Sequence, residues 1–141
     1  MNVSQYRQKI TGINQNLILW IEDILDTLDI VELVQEQLSE GKRGDGSLLP
    51  LYSFNTIKDK KERNSILMGE RIALIDTGEF WKSFFSTIYQ GAINVDAKDW
   101  KRDRLVERYG EEIFMLSKTQ LDYLASKVRP LLQEKINAYL Q

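Results

Sequence analysis

Histidine and cysteine are both absent from the 141 residues, so the chemistry open to this chain is that of carboxylates, lysine, tyrosine and hydroxyl groups. Thiolate or imidazole metal sites, thiol nucleophiles, disulfides and serine–histidine pairs are excluded together. The nearest approach to a reactive constellation is Asp76 after one expected strand, with Asp96-Ala97-Lys98 after a second. Two carboxylates in that order would hold a divalent cation, and the lysine would meet charge developing on a phosphate, the chemistry of a metal-dependent nuclease. Asp76 has a competing use, because its side-chain oxygen would cap the backbone N–H groups of a following helical turn. Asp76-Thr77-Gly78 is also the tripeptide of aspartic proteases. That chemistry needs two such loops and normally a small residue after the glycine, whereas one loop followed by Glu79 is present here.

Three further motifs reduce to surface structure. Arg43-Gly44-Asp45 spells an integrin tripeptide inside a glycine-rich turn, where those residue types need no receptor. Gly41 to Gly46 is glycine-rich but follows a helical stretch and lacks the spacing of a phosphate cradle. Lys98, Lys101, Arg102, Arg104 and Arg108, with Trp100 and Tyr109, would make a basic aromatic face for nucleic acid. Asp96, Asp99, Asp103 and Glu107 are interleaved with them, and the spacing predicts a solvated, salt-bridged helix instead.

Charge and apolar spacing define the elements that position these groups. The 19 basic and 21 acidic residues leave a net charge of -2, without the basic excess of proteins that coat DNA. Met1 to Glu40 is an acidic helical arm with 2 basic and 7 acidic residues; Gly41 to Arg71, with 7 and 4, is a basic exposed segment. Residues 72–141 supply an α+β core and C-terminal helices, and the length suits a single domain. The longest apolar run, Leu17 to Ile21, is far short of the ~20 residues of a membrane span.

Leu17, Ile21, Ile24, Leu25, Leu28, Val31 and Leu38 predict a long helix over Asn14–Ser39, divisible into two if Asp26 or Thr27 caps a second one near Leu28. Gly41 supplies the left-handed stop, and Gly41–Tyr52 is a loop. Asn55–Arg63 is a short solvated helix, Arg71–Ile75 a short strand, and Thr77–Phe84 a helical turn with Phe80, Trp81 and Phe84 on one face. Phe85–Val95 is a hairpin turning at Gln90-Gly91. Asp99–Tyr109 is a helix of about three turns. Ser117 to Gln120 forms a capping box that opens a last helix with Leu121, Leu124, Ala125 and Val128 inward. Pro130 kinks or breaks that helix ahead of a final segment, Leu131–Leu140.

The ordered motifs resemble a known family. They are Gln37-Leu38 before the Gly41 to Gly46 loop, Leu49, Tyr52-Ser53 and Thr56, a lysine-rich spacer, Leu74 to Phe80 with Ser83-Phe84, and Tyr109 to Ser117. Across about Val34 to Leu132 this series resembles small virion morphogenesis proteins of tailed bacteriophages and prophages, of the tail-completion, neck or minor tail type. The resemblance implies a non-enzymatic subunit of the virion, made in the host bacterial cytoplasm and assembling as a ring or adaptor at the head–tail junction or tail end. It implies copies of itself and neighbouring head, portal or tail proteins as partners, with no cofactor, no membrane and no specific nucleic-acid recognition. Candidate interface residues are Lys42, Arg43, Asp45, Tyr52, Lys58, Lys60, Lys61, Arg63, Phe80 and Trp81. Asp76, Thr77 and Gly78 form the structural motif, and the loop over Gly41 to Arg63 is expected to order on assembly. The family usually has glycine where Met115 stands, and the residues through Asp29 lie outside the match.

Overall fold

A computed structural model describes residues 2–141. The elements run α1 (Val3–Asp26), α2 (Ile30–Ser39), α3 (Phe54–Glu62), α4 (Glu79–Lys82), β1 (Phe84–Tyr89), β2 (Ala92–Ala97), α5 (Arg102–Tyr109), a 3-10 turn (Glu111–Phe114) and α6 (Lys118–Leu140). The α+β class is as expected, with an antiparallel sheet of two strands. The chain falls into two compact units, one of residues up to Asp29, Ile88–Ile93 and Asp122–Gln141, the other of Ile30–Thr87 and Asn94–Leu121.

The first unit begins earlier than periodicity predicts. Asn2 accepts from the Gln5 N–H at 2.8 Å while Gln5 returns a bond to the Asn2 N–H at 2.9 Å, a reciprocal cap that starts α1 eleven residues before Asn14. Gly12 is buried because Tyr139 passes directly over it; a Cβ at Gly12 would overlap the tyrosine ring. Tyr139 also packs edge-on against Trp20 at 5.4 Å and accepts a bond from Lys9 Nζ through its carbonyl at 3.0 Å. Leu124 is the buried residue of α6; Leu121, expected inward, is exposed. The last helix bends, by 28°, and runs on through Pro130 without a break, the proline withholding the N–H that the preceding turn would bond.

The long helix over Asn14–Ser39 is two helices. Thr27 closes α1 by donating its hydroxyl to the Ile24 carbonyl at 2.6 Å, and α2 starts at Ile30, so neither Asp26 nor Thr27 caps the second helix.

In the second unit α2 buries Ile30, Leu33, Val34, Gln37 and Leu38, the i, i+3, i+4, i+7 stripe of an amphipathic helix. Gly41 leaves α2 with φ of 71°, as the sequence requires. The expected strand over Arg71–Ile75 does not form. Arg71 makes a single antiparallel bridge to Leu51, and Leu74 then enters the left-handed region at φ 58°, which ends pairing. The hairpin leaves this unit at its tip, Ile88–Ile93, which belongs to the first; it turns at Gln90 and Gly91, with φ of 51° and 78°, the pair of positive values that a two-residue turn with the strands' twist demands. Phe80, Phe84 and Phe114 form an aromatic cluster, Phe80 and Phe84 meeting edge-on at 5.0 Å and Phe84 and Phe114 at 5.4 Å. Trp81 points elsewhere, its indole N–H donating to the Ala73 carbonyl at 3.0 Å.

The capping box at Ser117 is half of one. Its hydroxyl accepts from the Gln120 N–H at 3.2 Å, but the Gln120 side chain reaches the Leu33 carbonyl on α2 at 3.3 Å. The Ser117 N–H donates instead to Gln37 Oε1 at 2.6 Å, while Gln37 Nε2 donates to the Met115 carbonyl at 2.7 Å. Met115 stands in extended backbone at φ -85° and ψ 146°, a conformation that needs no glycine.

Candidate functional site

The residues of the Asp-Thr-Gly motif meet the basic segment in the second unit. Asp76 accepts from the Ser65 hydroxyl, from Arg63 Nη2 at 3.2 Å and from Lys60 Nζ at 3.5 Å. The Ser65 hydroxyl is the largest influence, and with Arg63 and Lys60 it outweighs burial and holds the Asp76 carboxyl down at about 2. Arg63 is raised in turn by its bonds to Asp76 and Asp59. The Asp76 carboxylate therefore caps nothing. Gly78 opens α4 at φ 92° with no side-chain cap, and Thr77 offers the Glu79 N–H only a long 3.4 Å contact.

Lys60, expected on the surface, is only 5% exposed. A turn of α3, started by Ser53 accepting from the Thr56 N–H at 3.1 Å, carries its amine to the Ile75 carbonyl at 2.6 Å and the Ile66 carbonyl at 3.1 Å. The same amine lies 5.2 Å from the centre of the Tyr52 ring, whose hydroxyl accepts from the Ala73 N–H at 3.2 Å. The amine is thus a cross-link between α3 and the chain on either side of Leu74.

These groups border a cleft of about 580 Å³, within the size range of binding pockets. Of the candidate interface and motif residues, Arg43, Tyr52, Lys60, Asp76, Thr77, Gly78 and Phe80 line it; Lys42, Asp45, Lys58, Lys61, Arg63 and Trp81 do not. Phe80 contributes from the core at 4% exposure, where a candidate interface residue was expected to be open to a partner. Arg43 is anchored through Nε to the Tyr109 carbonyl at 2.8 Å and through Nη1 to the Leu48 carbonyl at 2.8 Å. Lys42 pairs with Glu40 at 3.0 Å, and Lys58 and Lys61 project from α3 into solvent. Asp45 accepts from the Ser47 hydroxyl and N–H, which lower its pKa, so the Arg43-Gly44-Asp45 turn is closed on itself. Gly44 is required there for a second reason: a Cβ would run into the Met115 backbone.

No family model, curated protein or solved structure matches this chain.

Sequence reasoning set aside Lys101, Arg108 and Tyr109 as part of a solvated, salt-bridged helix; with Leu105 they line the cleft from α5 and the residue before it. The expected salt-bridged face is much thinner than the interleaved charges suggest. Among the described residues of this face Arg102 alone is ion-paired, to Asp96 at 2.8 Å and Asp103 at 3.0 Å, with its pKa raised by Asp96 first. Lys101 and Arg104 lie over the Trp100 ring at 5.6 and 5.8 Å, and Arg108 over Tyr109 at 5.5 Å. The recurrence of cations at positions 101, 104 and 108 was the available signal, masked by the acids interleaved with them, of which Asp96 and Asp103 both pair with Arg102.

The three groups of the nuclease arrangement are engaged separately: Asp76 with Ser65 and Arg63, Asp96 with Arg102, and Lys98 over the Phe85 ring at 5.1 Å. Among the described residues no group of three or more acids gathers as a metal site would require, and no helix is long and apolar enough to cross a membrane.

Proposed function

We propose that this chain is a non-enzymatic structural subunit of a phage virion, acting as a ring or adaptor at the head–tail junction or tail end. The observation that carries the reading is the engagement of Asp76. The residue at the centre of the motif series lies in a clamp with Ser65, Arg63 and Lys60 that fixes the turn into α4, an architectural use of a carboxylate that would otherwise be the obvious catalytic group. The wider series from Gln37 to Ser117 supports the same reading, because Gln37, Leu49, Tyr52, Phe80, Phe84, Ile113 and Phe114 each hold together the unit that presents the cleft. Its partners are copies of itself and the neighbouring head, portal or tail proteins, and it uses no cofactor.

Light scattering over a concentration series, with negative-stain imaging of the largest species, tests the assignment. A discrete oligomer or ring that grows with concentration is expected. DNA cleavage that requires Mg2+ or Mn2+ and disappears in Asp76→Ala or Asp96→Ala would overturn it in favour of a nuclease, and a monomer at every concentration would remove self-driven assembly.

A further inference from the structure

We propose that the cleft receives the acidic end of the first helix of a second copy of this chain. The proposal rests on the assembly reading and supplies its interface. Asp23 and Asp26 are exposed and have no ion pair among the described residues. They sit near the C-terminal end of α1, whose last turn holds no basic residue. The helix dipole concentrates partial negative charge at that end, so each carboxylate is placed where its own helix repels it. Leu19, 57% exposed, shares their stripe at i, i+4 and i+7 with Glu22 at i+3, which accepts from the Gly91 N–H at 3.2 Å, the spacing that sets residues on one face of a helix.

The cleft offers the complement. Lys101, Arg104 and Arg108 lack carboxylate partners among the described residues, and Leu105 lies between them in the same i, i+3, i+4, i+7 spacing. Lys101, Leu105 and Arg108 line the cleft beside Leu51, which is 59% exposed. Among the described residues the monomer gives Asp23, Asp26, Lys101, Arg104 and Arg108 no ion pair, the cations resting only on aromatic rings, whereas a second copy pairs an apolar and acidic stripe with an apolar and basic one. Because the two patches differ, the contact is head to tail, and its repetition builds a closed ring or an open filament according to the rotation between subunits.

A charge-exchange experiment on the full chain decides it. One variant carries Lys101→Glu with Arg108→Glu, the other Asp23→Lys with Asp26→Lys; association is read by light scattering, with circular dichroism establishing that each variant is folded. Each variant alone is expected to associate at least about tenfold more weakly than the parent. Mixing them restores association, since an acidic cleft then meets a basic helix and a basic cleft an acidic helix, in alternation. Parental association in either variant alone, or no recovery on mixing, would overturn the inference while leaving assembly intact, and would assign the cleft to a different protein. A parent chain that stays monomeric throughout overturns this inference and self-driven assembly together.

Discussion

At the residue scale, Asp76 and Lys60 explain why charged side chains in an apparently solvated segment matter to the fold. The folded carboxyl of Asp76 titrates at about 2, below its ordinary 3.8, so the unfolded chain binds its proton first as pH falls. The clamp's stabilisation is full above about pH 4 and is lost progressively toward pH 2. Nearly half of the side chain meets solvent, with 44% exposure, and screening reduces the effect to about 1 kcal/mol. Asp76→Asn should lower the unfolding free energy measured in urea at pH 7 by that amount, and the difference from the parent should vanish near pH 2. Lys60→Met keeps the apolar stem but strips the Ile66 and Ile75 carbonyls of their donor; a loss of about 2 kcal/mol in urea unfolding is expected. The lysine-rich composition of α3 hid this, because Lys58, Lys60 and Lys61 look alike until the helix turns only the middle one inward.

At the scale of elements, legibility followed local rules. The Gln90-Gly91 turn and the Gly41 stop were readable because a left-handed backbone writes itself into nearby residue types, glycine above all. The strand over Arg71–Ile75 was misread for the converse reason, since Leu74 adopts such a backbone without a glycine to announce it. The start of α1 was missed although Val3, Tyr6 and Ile10 recur at i, i+3 and i+7 and the Asn2 and Gln5 box stood in the sequence; three apolar residues among polar ones, all exposed in the fold, mark only a thin stripe. The cleft was half legible: its motif residues are neighbours in sequence, while Lys101 and Arg108 arrive through the fold. Gln37 shows how the fold does this. At 4% exposure it satisfies the Met115 carbonyl and the Ser117 N–H together, tying α2 to the entrance of α6. Gln37→Leu fits the same space but leaves both backbone groups unpaired, and thermal unfolding should register a loss of about 2 to 3 kcal/mol.

At the scale of the whole molecule, the two units are knit differently. The second is assembled from two segments of chain, whereas the first gathers three, the last of them Asp122–Gln141. The seam of the first is narrow, for Gly12 admits Tyr139 only because it has no side chain. Gly12→Val should force the ring away at a cost of about 1 to 3 kcal/mol. Amide exchange should accelerate in Val3–Asp26 and the end of α6 while Ile30–Ser39 keeps its protection, in keeping with locally cooperative opening.

That seam also sets an order of events during synthesis. Lys9 and Tyr139, bonded in the finished protein, lie 130 positions apart, and a ribosome delivers chain from the N-terminus onward at about 5–20 residues per second. Every residue of the second unit, up to Leu121, has been made before the twenty that complete the first. Helix α1 therefore waits several seconds before Tyr139 is made to pack against Trp20. A subunit cut short near its end would keep the cleft of the second unit and lose the partner of its first helix.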